Sequence, residues 1–163
     1  MKKFLVFILF GCFALLLADK LEDIKKRGVI TIGVKQDFKP FGFLDEKNQT
    51  VGFDIDIAKY IAKKMKVEVE LKKVLSKERL PKLVDNSVDV VIASMTINEE
   101  RAKIIDFSKP YFFETQAMLV RQDANEKSYK DFDDKLVGAI QGATSGVNLS
   151  KLAPKIKIVY FQE

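Results

Sequence analysis

Ser94-Met95-Thr96 stands directly after a β-branched apolar run, Val88 to Ala93, and Arg101 lies five residues beyond Thr96. This spacing suits recognition of a carboxylate. A hydroxyl or amide at the carboxyl end of a buried strand gives one hydrogen bond, and arginine adds a planar fork that matches two oxygens. A plainer role fits the same residues, with Thr96 capping a helix and Arg101 paired with a surface acid. Gly142-Ala143-Thr144-Ser145 forms a second strand-to-helix turn, whose amides suit an anion or simply start a helix. Phe38 and Phe41 flank Pro40 after another strand, placed either to wall a pocket or to pack.

The remaining chemistry is sparse. The 163 residues hold no histidine and one cysteine, which excludes a His-based triad, a Cys/His zinc site and a disulfide scaffold. No catalytic carboxylate pair stands out. Metal and organic cofactors are not implied. The net charge of +5 is spread over scattered lysines, with no basic run interleaved with aromatics, so nucleic acid is not an expected partner.

Alternating strands and helices must position these groups. Gly28 stops a short polar helix from Leu21 to Arg27. Val29 to Val34 reads as a buried strand, Phe43 to Phe53 as a hairpin. From Asp54, Ile57, Ala58, Ile61, Ala62 and Met65 recur at three- and four-residue steps, one apolar stripe on a helix. Val67 to Val74 alternates as a half-exposed strand, and Ser76 is placed to cap a helix reaching Leu83 and Val84. Val88 to Ala93 is a third strand, Asn98 or Glu99 opens a helical turn through Arg101, and Ala117 to Val120 is extended. After a polar stretch, Leu136 to Ile140, Gly146 to Leu152 and Lys155 to Tyr160 read as strand, helix and strand. The order predicts α/β architecture with a mostly parallel sheet. The last unit is too small to bury both faces of a sheet.

The first segment reads as an address. Lys2 and Lys3 precede an unbroken apolar run from Phe4 to Ala18, which describes a secretory signal peptide over residues 1–18 cleaved after Ala18. The run is short for a bilayer-spanning helix. A lipoprotein box at Leu9-Phe10-Gly11-Cys12 is the rival reading, and Phe10 fits it badly. Cleavage removes the only cysteine, as suits an oxidising compartment.

Four strings carry a resemblance: GVITIGV with PFGF between Gly28 and Phe43, VGFDIDIAKYIAKKM at Val51 to Met65, VDVVIASMTINEERAKIIDFSKPY at Val88 to Tyr111, and QGATS at Gln141 to Ser145. In this order they resemble the family 3 extracellular solute-binding proteins, the periplasmic polar amino-acid-binding components of ABC transporters. The resemblance implies a type II periplasmic-binding-protein-like α/β fold, whose two lobes close on an amino acid. Residues 19–120 would form a nearly complete first lobe, and 121–163 the hinge and a partial second one.

It further implies that Arg101 clamps the ligand α-carboxylate beside the Thr96 hydroxyl and the Ser94 backbone. The Thr144 amide would join on closure, and Phe38 would cover the ligand. Lys35 and Arg79 fall where members selective for aspartate and glutamate carry basic residues for the side-chain carboxylate, so an acidic ligand is expected. The acidic residue for the ligand ammonium would lie beyond Glu163, and a fragment or truncated gene product with weak or no affinity on its own is expected. A periplasmic monomer delivering its ligand to an inner-membrane ABC permease follows. A receptor's ligand-sensing domain and a fold-related periplasmic dehydratase stay open as alternatives.

Overall fold

The computed structural model describes residues 20–163. The expected leader and the Cys12 lipid site lie outside them. The chain opens with Lys20–Arg27 (α1) and Val29–Val34 (β1), then Asp37–Phe38 (β2), Gly42–Leu44 (β3) and Thr50–Val51 (β4). Phe53–Met65 (α2), Glu68–Lys73 (β5), Arg79–Val84 (α3), Val90–Val91 (β6) and Glu99–Ala102 (α4) follow. After a long connection that holds a short 3-10 helix, Tyr129–Phe132, come Leu136–Ile140 (β7), Thr144–Leu152 (α5) and Lys157–Phe161 (β8). Among the described residues no helix is long and apolar enough to cross a membrane.

Three parallel strands in the order β5-β1-β6 form the main sheet. A central parallel strand is covered on both faces, which is why β1 is a near-continuous apolar run. Ile30, Ile32 and Val34 are at most 1% exposed and pack with Ile55, Ala58, Ala62 and Ile92. Each fully buried isoleucine or valine contributes about 1.5–3 kcal/mol over its exposed state.

The α2 stripe is rotated from its predicted face. Asp54, Ile55, Ala58 and Ala62 are buried, whereas Ile57, Ile61 and Met65 flank the core partly buried. The rotation follows from how the helix is docked at its start. Gly52, at φ +125°, precedes it so tightly that a Cβ there would lie 2.3 Å from the Phe41 carbonyl oxygen. Only glycine fits.

The third predicted strand is shorter than its apolar run. Only Val90 and Val91 pair in the ladder, opposite Ile32 and Gly33. Asp89 instead turns its carboxylate back onto the sheet, where its side chain is 3% exposed. It accepts from the Thr31 amide at 2.9 Å, pairs with Lys20 at 3.1 Å and is also bonded by Arg27. Burial pushes this carboxyl up, but those donors together outweigh it and hold it below the usual carboxylate range. Its folded pKa is lower than its unfolded one, so its stabilisation is present above the unfolded value and lost as pH falls. Asp89→Asn should therefore lower stability by about 1–3 kcal/mol at pH 7. Urea melts of both proteins should draw together as pH falls through and below the ordinary aspartate range, about pH 4.

Two other predicted features differ. Ser76 caps no helix: α3 begins at Arg79 with Glu78 at its N-cap, and Ser76 holds the Glu163 carboxylate instead. Ala117 to Val120 joins no sheet, and Leu119 is fully exposed.

β7 and β8 form a separate parallel pair, register Leu136↔Lys157 to Ile140↔Phe161, crossed by α5. α5 packs closely where Gly146 lies under the Tyr160 ring. Leu136, Tyr160 and Phe161 stay 72%, 48% and 55% exposed, because two strands and one helix cannot cover both faces.

Candidate functional site

Because β1, β5 and β6 run parallel, the residues that follow them gather at one end of the sheet. Lys35 follows β1, Ser76 lies just after β5, and Ser94 follows β6. The central organiser is Arg79, 4% exposed in the first turn of α3. Its guanidinium donates to the carbonyls of Ser76 (3.1 Å), Ala93 (2.9 Å), Ser94 (2.9 Å) and Gly142 (3.1 Å).

Arg101 meets the same Gly142 carbonyl. It donates to Gly142 at 2.9 Å and to the Thr96 carbonyl at 2.7 Å. Asn98, predicted as a possible helix start, caps α4 by accepting from the Arg101 amide at 2.8 Å. That cap leaves Thr96 one turn ahead of the helix with its hydroxyl exposed. The Thr96 and Thr144 hydroxyls lie 3.4 Å apart, which places the opening of α5 against the Ser94–Thr96 bend.

Gly142 makes this approach possible. At φ +84° it lies so close to the Ser76–Lys77 peptide that a Cβ would come within 2.5 Å of the Lys77 amide nitrogen. Arg79 and Arg101 therefore converge on one carbonyl oxygen, and among the described residues neither has a carboxylate within ion-pairing distance. Burial, then the neighbouring Arg101 charge, push Arg79 down to about 10 despite an opposing pull from Glu163. Burial also lowers Arg101. Both stay charged at neutral pH.

The expected residues are thus only partly brought together. Ser94, Thr96, Arg101 and Thr144 form one group, with Arg79 beneath it. Phe38 stands apart, stacked on Phe41 at 5.7 Å, and Phe41 in turn packs edge-on against Phe112 at 4.8 Å.

Neither Lys35 nor Arg79 is a free cation, contrary to expectation. Arg79 is engaged by four carbonyls. Lys35, 3% exposed, pairs with Asp37 at 3.1 Å and with Glu163. Glu163 also accepts from the Ser76 amide and hydroxyl, and these bonds with Lys35 hold its carboxyl below the usual range against the upward push of burial. A buried ammonium needs a counter-charge, and these carboxylates are nearer than any solute.

Two cavities flank the bend. One of about 650 Å³ is lined by Phe41, Ser94, Thr96, Tyr111 and Phe112, among others. The other, about 710 Å³, is lined by Arg101, Gly142, Thr144 and Asn148. Sequence reasoning missed Gln116, which holds two of the lining residues of the second, Thr144 and Asn148. Gln116 donates to the Thr144 hydroxyl at 2.8 Å and accepts from Asn148 at 2.9 Å. No local spacing links positions 116 and 148. Asp54 was missed as well, although an acid opening an apolar helix was a visible signal.

Comparison with known proteins decides what this arrangement belongs to. Residues 30–163 match the model of the bacterial extracellular solute-binding proteins, family 3. The chain belongs to that family. It is 44% identical over 149 residues to the glutamine-binding protein of Geobacillus stearothermophilus, covering 88% of this chain and 57% of that one. Holo ArgBP from T. maritima superposes with a TM-score of 0.81 at 40% identity, covering 86% of this chain and 62% of that one. An ancestral amino acid-binding protein, AncCDT-1, described as a precursor of cyclohexadienyl dehydratase, gives 0.81 at 39% identity, with 86% and 64% covered. This family 3 chain therefore spans rather more than half the length of these relatives. Its α/β architecture is that of the amino-acid-binding proteins it superposes on.

Proposed function

We propose that this family 3 chain binds a polar amino acid between residues 19–120 and 121–163, acting as two lobes, and serves an ABC importer as its periplasmic binding component. The observation that carries the reading is the convergence of Arg79 and Arg101 on the Gly142 carbonyl, with no carboxylate paired to either among the described residues. Two partly desolvated guanidinium groups favour an anion. Arg101 is the half-buried one, and its bonds to Thr96 and Gly142 use two of five N–H donors. A ligand α-carboxylate accepts from the rest, beside the first-turn amides of α5 and the two threonine hydroxyls. Binding energy then favours the closed arrangement of the lobes, which docks on a membrane permease.

The ligand side chain is better read as neutral than acidic. Lys35 is neutralised by Asp37 and Glu163, and Arg79 is held by carbonyls, so neither of these two residues offers a free cation to a second carboxylate. The glutamine-binding relative is in keeping with this.

Calorimetry with a panel of amino acids tests both levels. Glutamine should bind at least about tenfold tighter than glutamate or aspartate, a difference of about 1.4 kcal/mol or more. Preference for glutamate would overturn the side-chain reading, and no binding of any amino acid would overturn the functional one.

A further inference from the structure

Asp54 takes no part in the recognition described above, yet it is the most deeply buried acid among the described residues, at 0% exposure. No cation lies within ion-pairing distance of it among those residues. A buried carboxylate without a counter-ion must be held by hydrogen bonds. Its two bonds lead to different segments. Oδ1 accepts from the Tyr111 hydroxyl at 3.0 Å, and Oδ2 accepts from the Ser94 amide at 3.2 Å.

Ser94 is the unusual residue of the pair. Its φ of +51° is in the left-handed region, which a serine adopts only when its surroundings impose it. Arg79 donates to the Ser94 carbonyl at 2.9 Å. Ser94 is thus gripped by the Asp54 carboxyl on its N–H and by the Arg79 guanidinium on its C=O. Two residues later the Thr96 carbonyl meets Arg101 at 2.7 Å.

We propose that Asp54 is a positioning residue for ligand recognition: through the Ser94 amide it holds the left-handed bend that sets Thr96 against Arg101. This rests on the reading that Arg101 receives an amino-acid carboxylate. Tyr111 fixes the second carboxylate oxygen and so ties the segment after α4 to the same bend. Burial raises the Asp54 carboxyl, and the bonds from Tyr111 and Ser94 oppose that rise.

Asp54→Asn keeps the shape but exchanges one acceptor oxygen for a donor. In the isotope-labelled chain, hydrogen exchange at the Ser94 amide should quicken at least tenfold, and glutamine affinity should fall at least tenfold. Glycine takes a positive φ freely. Placed in a Ser94→Gly background, Asp54→Asn should therefore cost less than threefold in affinity. Equal losses in both backgrounds, or unchanged exchange at Ser94, would overturn the proposal, since a merely structural acid acts independently of the Ser94 backbone. Should Asp54→Asn fail to fold, Tyr111→Phe decides. A shifted Ser94 amide resonance with two- to fivefold weaker binding supports the proposal, and no change in either overturns it. If the unaltered chain binds no amino acid, the functional reading fails separately. Exchange at Ser94 then decides alone: quickened exchange supports the hold on the bend, and unchanged exchange overturns it.

Discussion

Arg101→Ala is expected to weaken glutamine binding at least about 100-fold, close to 3 kcal/mol. Arg101 is the half-buried guanidinium directed between the Ser94–Thr96 bend and the Gly142 turn, 2.7 Å from one carbonyl and 2.9 Å from the other. Its removal takes away the fork proposed for a carboxylate and also the bridge between the Thr96 and Gly142 carbonyls. Arg101→Lys separates these effects. A lysine keeps the charge but has no planar pair of donors and cannot span both carbonyls, so it should recover less than half of the lost binding energy. Calorimetry on the three proteins checks this, with circular dichroism to confirm that each is folded. Full affinity in Arg101→Ala would remove the physical basis of the functional reading.

Arg79→Met should instead damage the fold, by about 3–5 kcal/mol in urea unfolding. Methionine fills a similar volume but leaves the carbonyls of Ser76, Ala93, Ser94 and Gly142 without the donors they have now. Two of those carbonyls end the Val88–Ala93 run and begin the bend after it, and one belongs to the β7–α5 turn. The same substitution should thus loosen β7–α5–β8 from the main sheet, seen as a broadened or two-step melt. A typical domain is stable by only about 5–15 kcal/mol, so this loss is a large fraction of the total. A ligand-contact role predicts the opposite pattern, with normal stability and weakened binding of acidic amino acids. The two measurements together distinguish a strut from a contact.

That contrast shows how far the sequence could be read. Strands and helices were legible because periodicity is local: β-branched runs of six residues and the three- to four-residue stripe of α2 need no knowledge of the rest of the chain. The grouping of Ser94, Thr96 and Arg101 was legible for the same reason, since eight consecutive positions carry it. Ser76 was misread because a serine three residues before Arg79 has the look of a cap, and only the arrival of Glu163, 87 residues later, gives its amide and hydroxyl another partner. Lys35 and Arg79 looked like cations for a ligand because sequence shows charge but not what neutralises it.

By itself, then, the sequence determined an α/β chain and the local grouping of Ser94, Thr96 and Arg101 after one strand and of Gly142 to Ser145 after another, properties set by neighbours a few bonds away. Only the tertiary structure decided that Arg79 and Arg101 share the Gly142 carbonyl, that Asp54 and Arg79 grip Ser94 from opposite sides, and that Lys35 is already neutralised. Those outcomes depend on which distant groups lose water together, and a buried charge takes whichever partner the fold brings nearest.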